Sequence, residues 1–171
     1  LVMIELIVAC IPAYNEEREL GPVIIKASKV VDKIIVCDDG SSDLTSEVAR
    51  KLGCELIVHS QRKGKGNAIK DLFVKALELG ADIIVTLDGD GQHHPEDIPN
   101  LINPIIKDDA DMVVGSRFLG NSKEVPFYRI IGNNMFTSFT RLMSNNNFKD
   151  LSDSQSGFRA YSKKVLEYVK V

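Results

Sequence analysis

Apolar residues recur along this chain in two alternating rhythms. Compact runs rich in β-branched residues occur at 4–11, 33–37, 55–59, 83–87 and 112–115. Each has the length of a strand, and the clearest of them lack the polar alternation of a sheet with one wet face. Between the runs, apolar residues return every third or fourth position. The sets are Leu20, Val23, Ile24 and Ala27; Leu44, Val48 and Leu52; Ile69, Leu72, Phe73, Ala76 and Leu77; and Ile98, Leu101, Ile102 and Ile105. That spacing puts one apolar stripe on each of four helices. Doubly buried strands alternating with helices predict an α/β fold with a mainly parallel central sheet covered on both faces.

The rhythm changes after Arg117. Residues 126–143 predict a helix carrying Ile130, Ile131, Phe136, Phe139 and Leu142, and a polar loop follows around 144–156. "GFRAYS" predicts a short strand or turn before a last helix begins at Lys163. No repeat is visible, so residues 1–171 are expected to form one domain. The last helix has no terminating signal by Val171, which predicts a longer protein of which this is part.

Composition narrows the possibilities. A chain of 171 residues can bury one α/β core. Its net charge of −3, with no continuous basic face, argues against nucleic acid as a partner. Cys10, Cys37 and Cys54 sit in or beside apolar runs and are odd in number, the pattern of buried free thiols in a reducing compartment. "LVMIELIVACIP" is interrupted by Glu5 and falls short of the ~20 residues that span a bilayer. It reads as a strand, and any membrane role is expected to be peripheral or to lie in sequence outside these residues.

The chemistry-bearing residues gather where expected strands end: "IPAYNEE", "CDDGSSD", "LDGDGQHHPED" and "GSRF". Ligands of parallel α/β sheets collect at those carboxyl ends. On an extended segment, Asp88 and Asp90 point to one side. Two close carboxylates stay ionised together when a cation lies between them, and hard ions such as Mg²⁺ or Mn²⁺ prefer oxygen ligands. The alternative is a solvated turn. An EF-hand is excluded, because counting from Asp88 puts His93 where glycine is needed and Pro99 where the bidentate glutamate belongs. His93 and His94 have no partner at zinc spacing, so they are either a polar loop or a contact to metal or phosphate.

Asp38 and Asp39 are placed to accept hydrogen bonds from a ribose or a base, whereas Asp43 is better explained as a helix cap. "RKGKGNAI" is not a P-loop; Lys63 and Lys65 beside a helix start are a reasonable diphosphate neighbourhood, although this stretch taken alone favours a solvated loop. Arg117 and Arg129 stand next to Phe118, Phe127 and Tyr128. That combination suits an anionic head group with an apolar tail, or a structural ion pair.

Taken together, "IPAYNEE", "DDGSSD", "GKGNAI", "DGDGQHHPED", "GSRF" and "DSQSGFRAY" resemble the family 2 glycosyltransferases, and within them the polyprenyl-phosphate group that contains dolichyl-phosphate mannose synthase. The match runs in order from about Ile11 to Tyr161. The resemblance implies a Rossmann-like GT-A fold, a UDP- or GDP-linked sugar donor, a divalent metal and inversion at the anomeric carbon. It implies that Pro12, Tyr14 and Glu16 hold the nucleotide with Asp38 or Asp39. It places Asp88, Gly89 and Asp90 at the metal and diphosphate, Gln92 as a further metal ligand, and Lys65 beside them. Gly89 stands where many relatives carry alanine.

Arg117 and Arg129 match arginines that bind an acceptor phosphate. Asp153 and Gln155 fall in a segment that closes over the site. A phosphate monoester is already largely dianionic near neutrality (second pKa about 6) and attacks unaided; a sugar hydroxyl would need Asp153 as base. The expected acceptor is a polyprenyl (dolichyl) phosphate, reached from the cytoplasmic face of a membrane by a peripheral or anchored enzyme whose membrane-facing part follows Val171. Two other readings are transfer to a saccharide or protein hydroxyl, and a nucleotide-sugar-binding domain without activity. The donor's base and sugar and the oligomeric state are not fixed by these residues.

Overall fold

The computed structural model describes residues 5–115 and 156–169. The expected helix at 126–143 and the residues Arg117, Arg129, Asp153 and Gln155 lie outside them. The elements in chain order are β1 (Ile7–Ala13), α1 (Leu20–Ala27), β2 (Lys33–Asp38), α2 (Thr45–Lys51), β3 (Glu55–Val58), α3 (Lys65–Glu78) and β4 (Ile83–Thr86). A 3-10 turn (Pro95–Asp97) then leads into α4 (Ile98–Ile106), β5 (Met112–Val114), β6 (Arg159–Ser162) and α5 (Lys163–Val169). The strands form one six-stranded sheet in the order β3-β2-β1-β4-β6-β5.

β1 shows why the sheet needs cover on both sides. Ala9, Ile11 and Ala13 pack into a cluster with Leu20 and Ile24 of α1 and Ile98 of α4. Val8 and Cys10, on the opposite face, pack with Leu72 and Phe73 of α3. The two-residue period of a strand thus feeds two separate apolar layers. Ile11, Leu20 and Ile24 are fully buried, and each such side chain contributes about 1.5–3 kcal/mol relative to exposure.

The sheet is mainly parallel, as expected: β6 alone among the described strands runs antiparallel to its neighbours, β4 and β5. This reversal carries the start of β6, Arg159 and the preceding Gly157, to the carboxyl end of β4, where Thr86 pairs with Arg159. The apolar stripe expected on α2 is displaced by one residue. Thr45 and Ala49 are its buried positions, while Leu44 and Leu52 are 55% and 40% exposed.

Candidate active site

β1 lies between β2 and β4, and the chain progresses outward in opposite directions from it, so the fold reverses its winding between β1 and β4. A crevice opens outside the carboxyl ends of the strands at such a point. Pro12 helps to open it. The last bond between these strands is donated by the Leu87 N–H to the Cys10 carbonyl, at 3.2 Å. In a parallel ladder the next would run from residue 12 to the Leu87 carbonyl, and proline has no N–H to donate. The pairing of β4 with β1 ends there, and a turn occupies residues 89–90.

The loops after β1 and β2 are tied to each other along their length. The Asn15 N–H donates to Ser41 Oγ and the Ser42 N–H to Asn15 Oδ1, both at 2.9 Å. Asn15 holds a left-handed backbone, φ 56°, a conformation asparagine tolerates. The Glu16 N–H donates to Thr45 Oγ1 at 2.8 Å, the Glu17 N–H to Asp43 Oδ2 at 3.2 Å, and the Leu44 N–H to Glu17 Oε2 at 3.0 Å. Asp43 also accepts from the Thr45 N–H, so it supports the start of α2 as well. Much of "YNEE" and "SSDLT" is therefore scaffold.

Two groups of the first loop remain available. Tyr14 is 38% exposed, with the Arg62 guanidinium 4.2 Å from its ring centre. The Glu16 carboxyl has no hydrogen-bond or ion-pair partner among the described residues. Its pKa is raised, by partial burial first and then by the charges of Asp90, Glu19, Asp43 and Asp88.

Asp38 and Asp39 are both buried. Asp38 serves its own turn, accepting from the Ser41 N–H at 2.8 Å and from the Ser46 hydroxyl. Asp39 reaches the loop that follows β3. Its Oδ1 accepts from the Lys63 N–H and its Oδ2 from the Gly64 N–H, both at 2.8 Å. Its Oδ1 also lies 2.7 Å from Nδ1 of His59. Burial pushes the Asp39 pKa up, but the hydrogen bonds from His59, Lys63 and Gly64 outweigh it and hold the carboxyl below its ordinary value.

The Asp88–Asp90 segment is not an extension of β4; a turn occupies 89–90. The two carboxylates accordingly meet different partners. Lys65 Nζ donates to Asp88 Oδ1 at 2.6 Å, and His93 Nε2 lies 3.6 Å from Oδ2. Burial raises the Asp88 pKa, yet His93 and Lys65 overcome it and bring the value down to about 2. Asp90 Oδ1 accepts the Gln92 N–H at 3.0 Å. The Gln92 side chain is exposed, and Gly89 is buried. A Cβ on Gly89 would meet Leu20, Ala13 and Ile11 at 3.4–3.6 Å, which leaves room for alanine.

On the far side, the Thr86 hydroxyl donates to the Gly157 carbonyl at 2.9 Å, and Phe158 stacks on His93 with ring centres 5.4 Å apart. His93 thus supports Asp88 from a buried position.

Among the described residues, no three acidic, histidine or cysteine side chains are gathered to hold a metal by themselves. The oxygen donors of Asp88 and Asp90 suit a hard cation that takes its other ligands from water and phosphate oxygens, the usual habit of Mg²⁺. Glu16, without a partner among the described residues, and the acids that raise its pKa mark where positive charge is wanted.

The residues missed in the sequence are His59 and Asp71. His59 sits at the end of a strand run and reads there as one more polar terminus; Asp71 reads as the polar face of a helix.

The glycosyl transferase family 2 profile matches residues 8–169. The chain belongs to that family. The UDP-N-acetylglucosamine–dolichyl-phosphate N-acetylglucosaminyltransferase of Methanococcus voltae is 40% identical over 95% of this family 2 chain and 72% of its own length. The dolichol-phosphate mannosyltransferase of Pyrococcus furiosus is 32% identical over 94% of this chain and 47% of its own. Glucosyl-3-phosphoglycerate synthase from Mycobacterium tuberculosis, crystallised with Mn²⁺ and UDP-glucose, superposes with a TM-score of 0.73 at 25% identity, covering 95% of this chain and 57% of that one. This chain therefore spans between 47% and 72% of the length of these proteins. Its sheet is that of the GT-A fold, as the motif set implied.

Proposed function

We propose that this chain is the donor-binding and catalytic part of an inverting, metal-dependent transferase that moves a sugar from a UDP- or GDP-sugar to a polyprenyl phosphate. The observation that carries this is the Asp88–Asp90 turn at the reversal of the winding, facing Glu16 and gripped by Lys65. The relatives support the class of donor and acceptor: one is named for UDP-N-acetylglucosamine and dolichyl phosphate, another for dolichol phosphate and mannose.

In this reading Tyr14 and Arg62 offer a flat, cationic surface to the base, and Asp39 and Glu16 orient the nucleoside. Pro12 keeps the crevice open, and Gly89 lets the turn lie against Leu20. Asp88, Asp90 and Gln92 would hold Mg²⁺ or Mn²⁺, which when bound neutralises charge growing on the departing diphosphate. Lys65, paired with Asp88 at 2.6 Å, would add its positive charge beside that diphosphate.

An acceptor phosphate oxygen, held by Arg117 and Arg129, attacks the anomeric carbon opposite the departing diphosphate, so the configuration inverts. Such an oxygen carries no proton to remove, and Asp153 would act as base only for a hydroxyl acceptor. No helix among the described residues is long and apolar enough to cross a membrane; in this reading a lipid acceptor calls for an enzyme peripheral to, or anchored at, a cytoplasmic membrane face.

Transfer of labelled sugar from UDP-N-acetylglucosamine, UDP-glucose or GDP-mannose into solvent-extractable polyprenyl phosphate tests this. The expected result is metal-dependent label in the lipid, abolished in Asp90→Ala. Label that reaches only saccharide or protein acceptors would replace the phosphate reading with the hydroxyl one.

A further inference from the structure

A chain of ionic contacts centred on the buried His59 runs from Asp39 towards Asp88. His59 follows β3 and is 4% exposed, yet both of its ring nitrogens face carboxylates. Nδ1 lies 2.7 Å from Asp39 Oδ1, and Nε2 lies 2.9 Å from Oδ2 of Asp71 on α3. The other groups around the ring are the Cys37 thiol of β2, 3.6 Å from Nε2, and Lys63, whose Nζ is 3.9 Å from Asp71. Burial first, and then Asp71 and Asp39, push the Cys37 thiol up to about 12, so it is neutral.

A neutral ring has one N–H and one bare lone pair, and in either tautomer that lone pair would confront an anionic oxygen at under 3 Å. Only the imidazolium donates to both. From Asp39 the chain continues through the Lys63 and Gly64 N–H groups to Lys65, which begins α3 and holds Asp88.

We propose that His59, as an imidazolium shared between Asp39 and Asp71, is a positioning residue that sets the distance between the nucleoside end of the donor site and its diphosphate end. It pins Asp39 to α3, and Asp39 in turn fixes the backbone from which Lys65 reaches Asp88. This rests on the donor-site reading above. A histidine that merely filled the core would satisfy packing in a single tautomer and would leave nucleotide affinity indifferent to Asp71, whose carboxylate is 41% exposed and meets His59 and Lys63.

Nitrogen-15 spectra of the imidazole rings, together with calorimetric titration of UDP and GDP in the presence of Mn²⁺, provide the test. The chain has three histidines, so each ring can be assigned separately. In wild type both His59 ring nitrogens are expected to carry a proton, one donated to Asp39 and one to Asp71. Asp71→Ala, a helix-compatible change, should leave one ring nitrogen unprotonated. It should also weaken metal-dependent nucleotide binding about tenfold, the scale of one hydrogen bond, with little change in thermal midpoint. Asp71→Asn, which can still partner Nε2, should restore most of the affinity. A singly protonated ring in wild type, or wild-type affinity in Asp71→Ala, overturns the linkage alone. Wild type that binds neither nucleotide overturns the donor-site reading and the linkage with it.

Discussion

A methyl group on Gly157 would lie 2.6 Å from one oxygen of Asp88 and 2.7 Å from the other. No side chain fits there unless the carboxylate moves, so this glycine is required by what it touches rather than by its backbone angles. Gly157→Ala should displace Asp88 from Lys65 and weaken metal-dependent nucleotide binding by at least about tenfold, measured by calorimetry. Gly89→Ala, by contrast, should bind as wild type.

Glu16 gives the opposite kind of residue-scale effect. Its pKa is raised in the folded state by burial and by neighbouring acids, so the ionised carboxyl destabilises the fold above its folded pKa. That cost disappears as pH falls below the unfolded value, about 4.3. Glu16→Gln should therefore raise the thermal midpoint at neutral pH, lose the advantage near pH 4, and impair nucleotide binding; melts recorded across pH would show the crossover. Stability given up at a binding site is a common exchange. Asp39 has the other sign. Its lowered pKa contributes stability above the ordinary aspartate value, and that stability is lost as pH falls through the folded one.

At the scale of elements, the loops matter more than the helices they precede. Gly40 holds φ +77°, and a Cβ there would meet the Gln61 carbonyl carbon and the Arg62 nitrogen at 2.8 Å. Gly40→Ala should cost about 1–3 kcal/mol in urea unfolding, through strain at a left-handed position and a forced shift of the 61–64 loop that Asp39 holds. Helix α2 shows the limit of hydrophobic pattern. Leu44, Val48 and Leu52 have the right spacing and Val48 does pack against the core, but the fully buried row is the adjacent one, Thr45 and Ala49, where the Thr45 hydroxyl accepts the Glu16 N–H. A hydroxyl accepting a backbone donor from another loop leaves no mark in apolar periodicity.

For the molecule as a whole, the strand runs and the acids at their ends were legible because both are local properties of the chain. The order of the sheet was not. β6 enters between β4 and β5 in antiparallel sense, and nothing near 159–162 announces a pairing with strands so distant in sequence. The same holds for Asp39, His59 and Asp71, which come from β2, the end of β3 and α3 and meet only once those elements have packed. The motifs marked where chemistry gathers; packing decided that Asp38 turns inward to Ser46 while Asp39 holds the loop before α3.

The central claim is that a metal-bound nucleoside diphosphate sits where β1 and β4 part. Calorimetric titration of UDP and of GDP into wild type and Asp90→Ala, each with and without Mn²⁺, tests it most directly. The expected result is binding of one nucleotide that needs the metal and is lost in the variant. Binding that ignores both the metal and Asp90, in protein whose fold is intact, would contradict it.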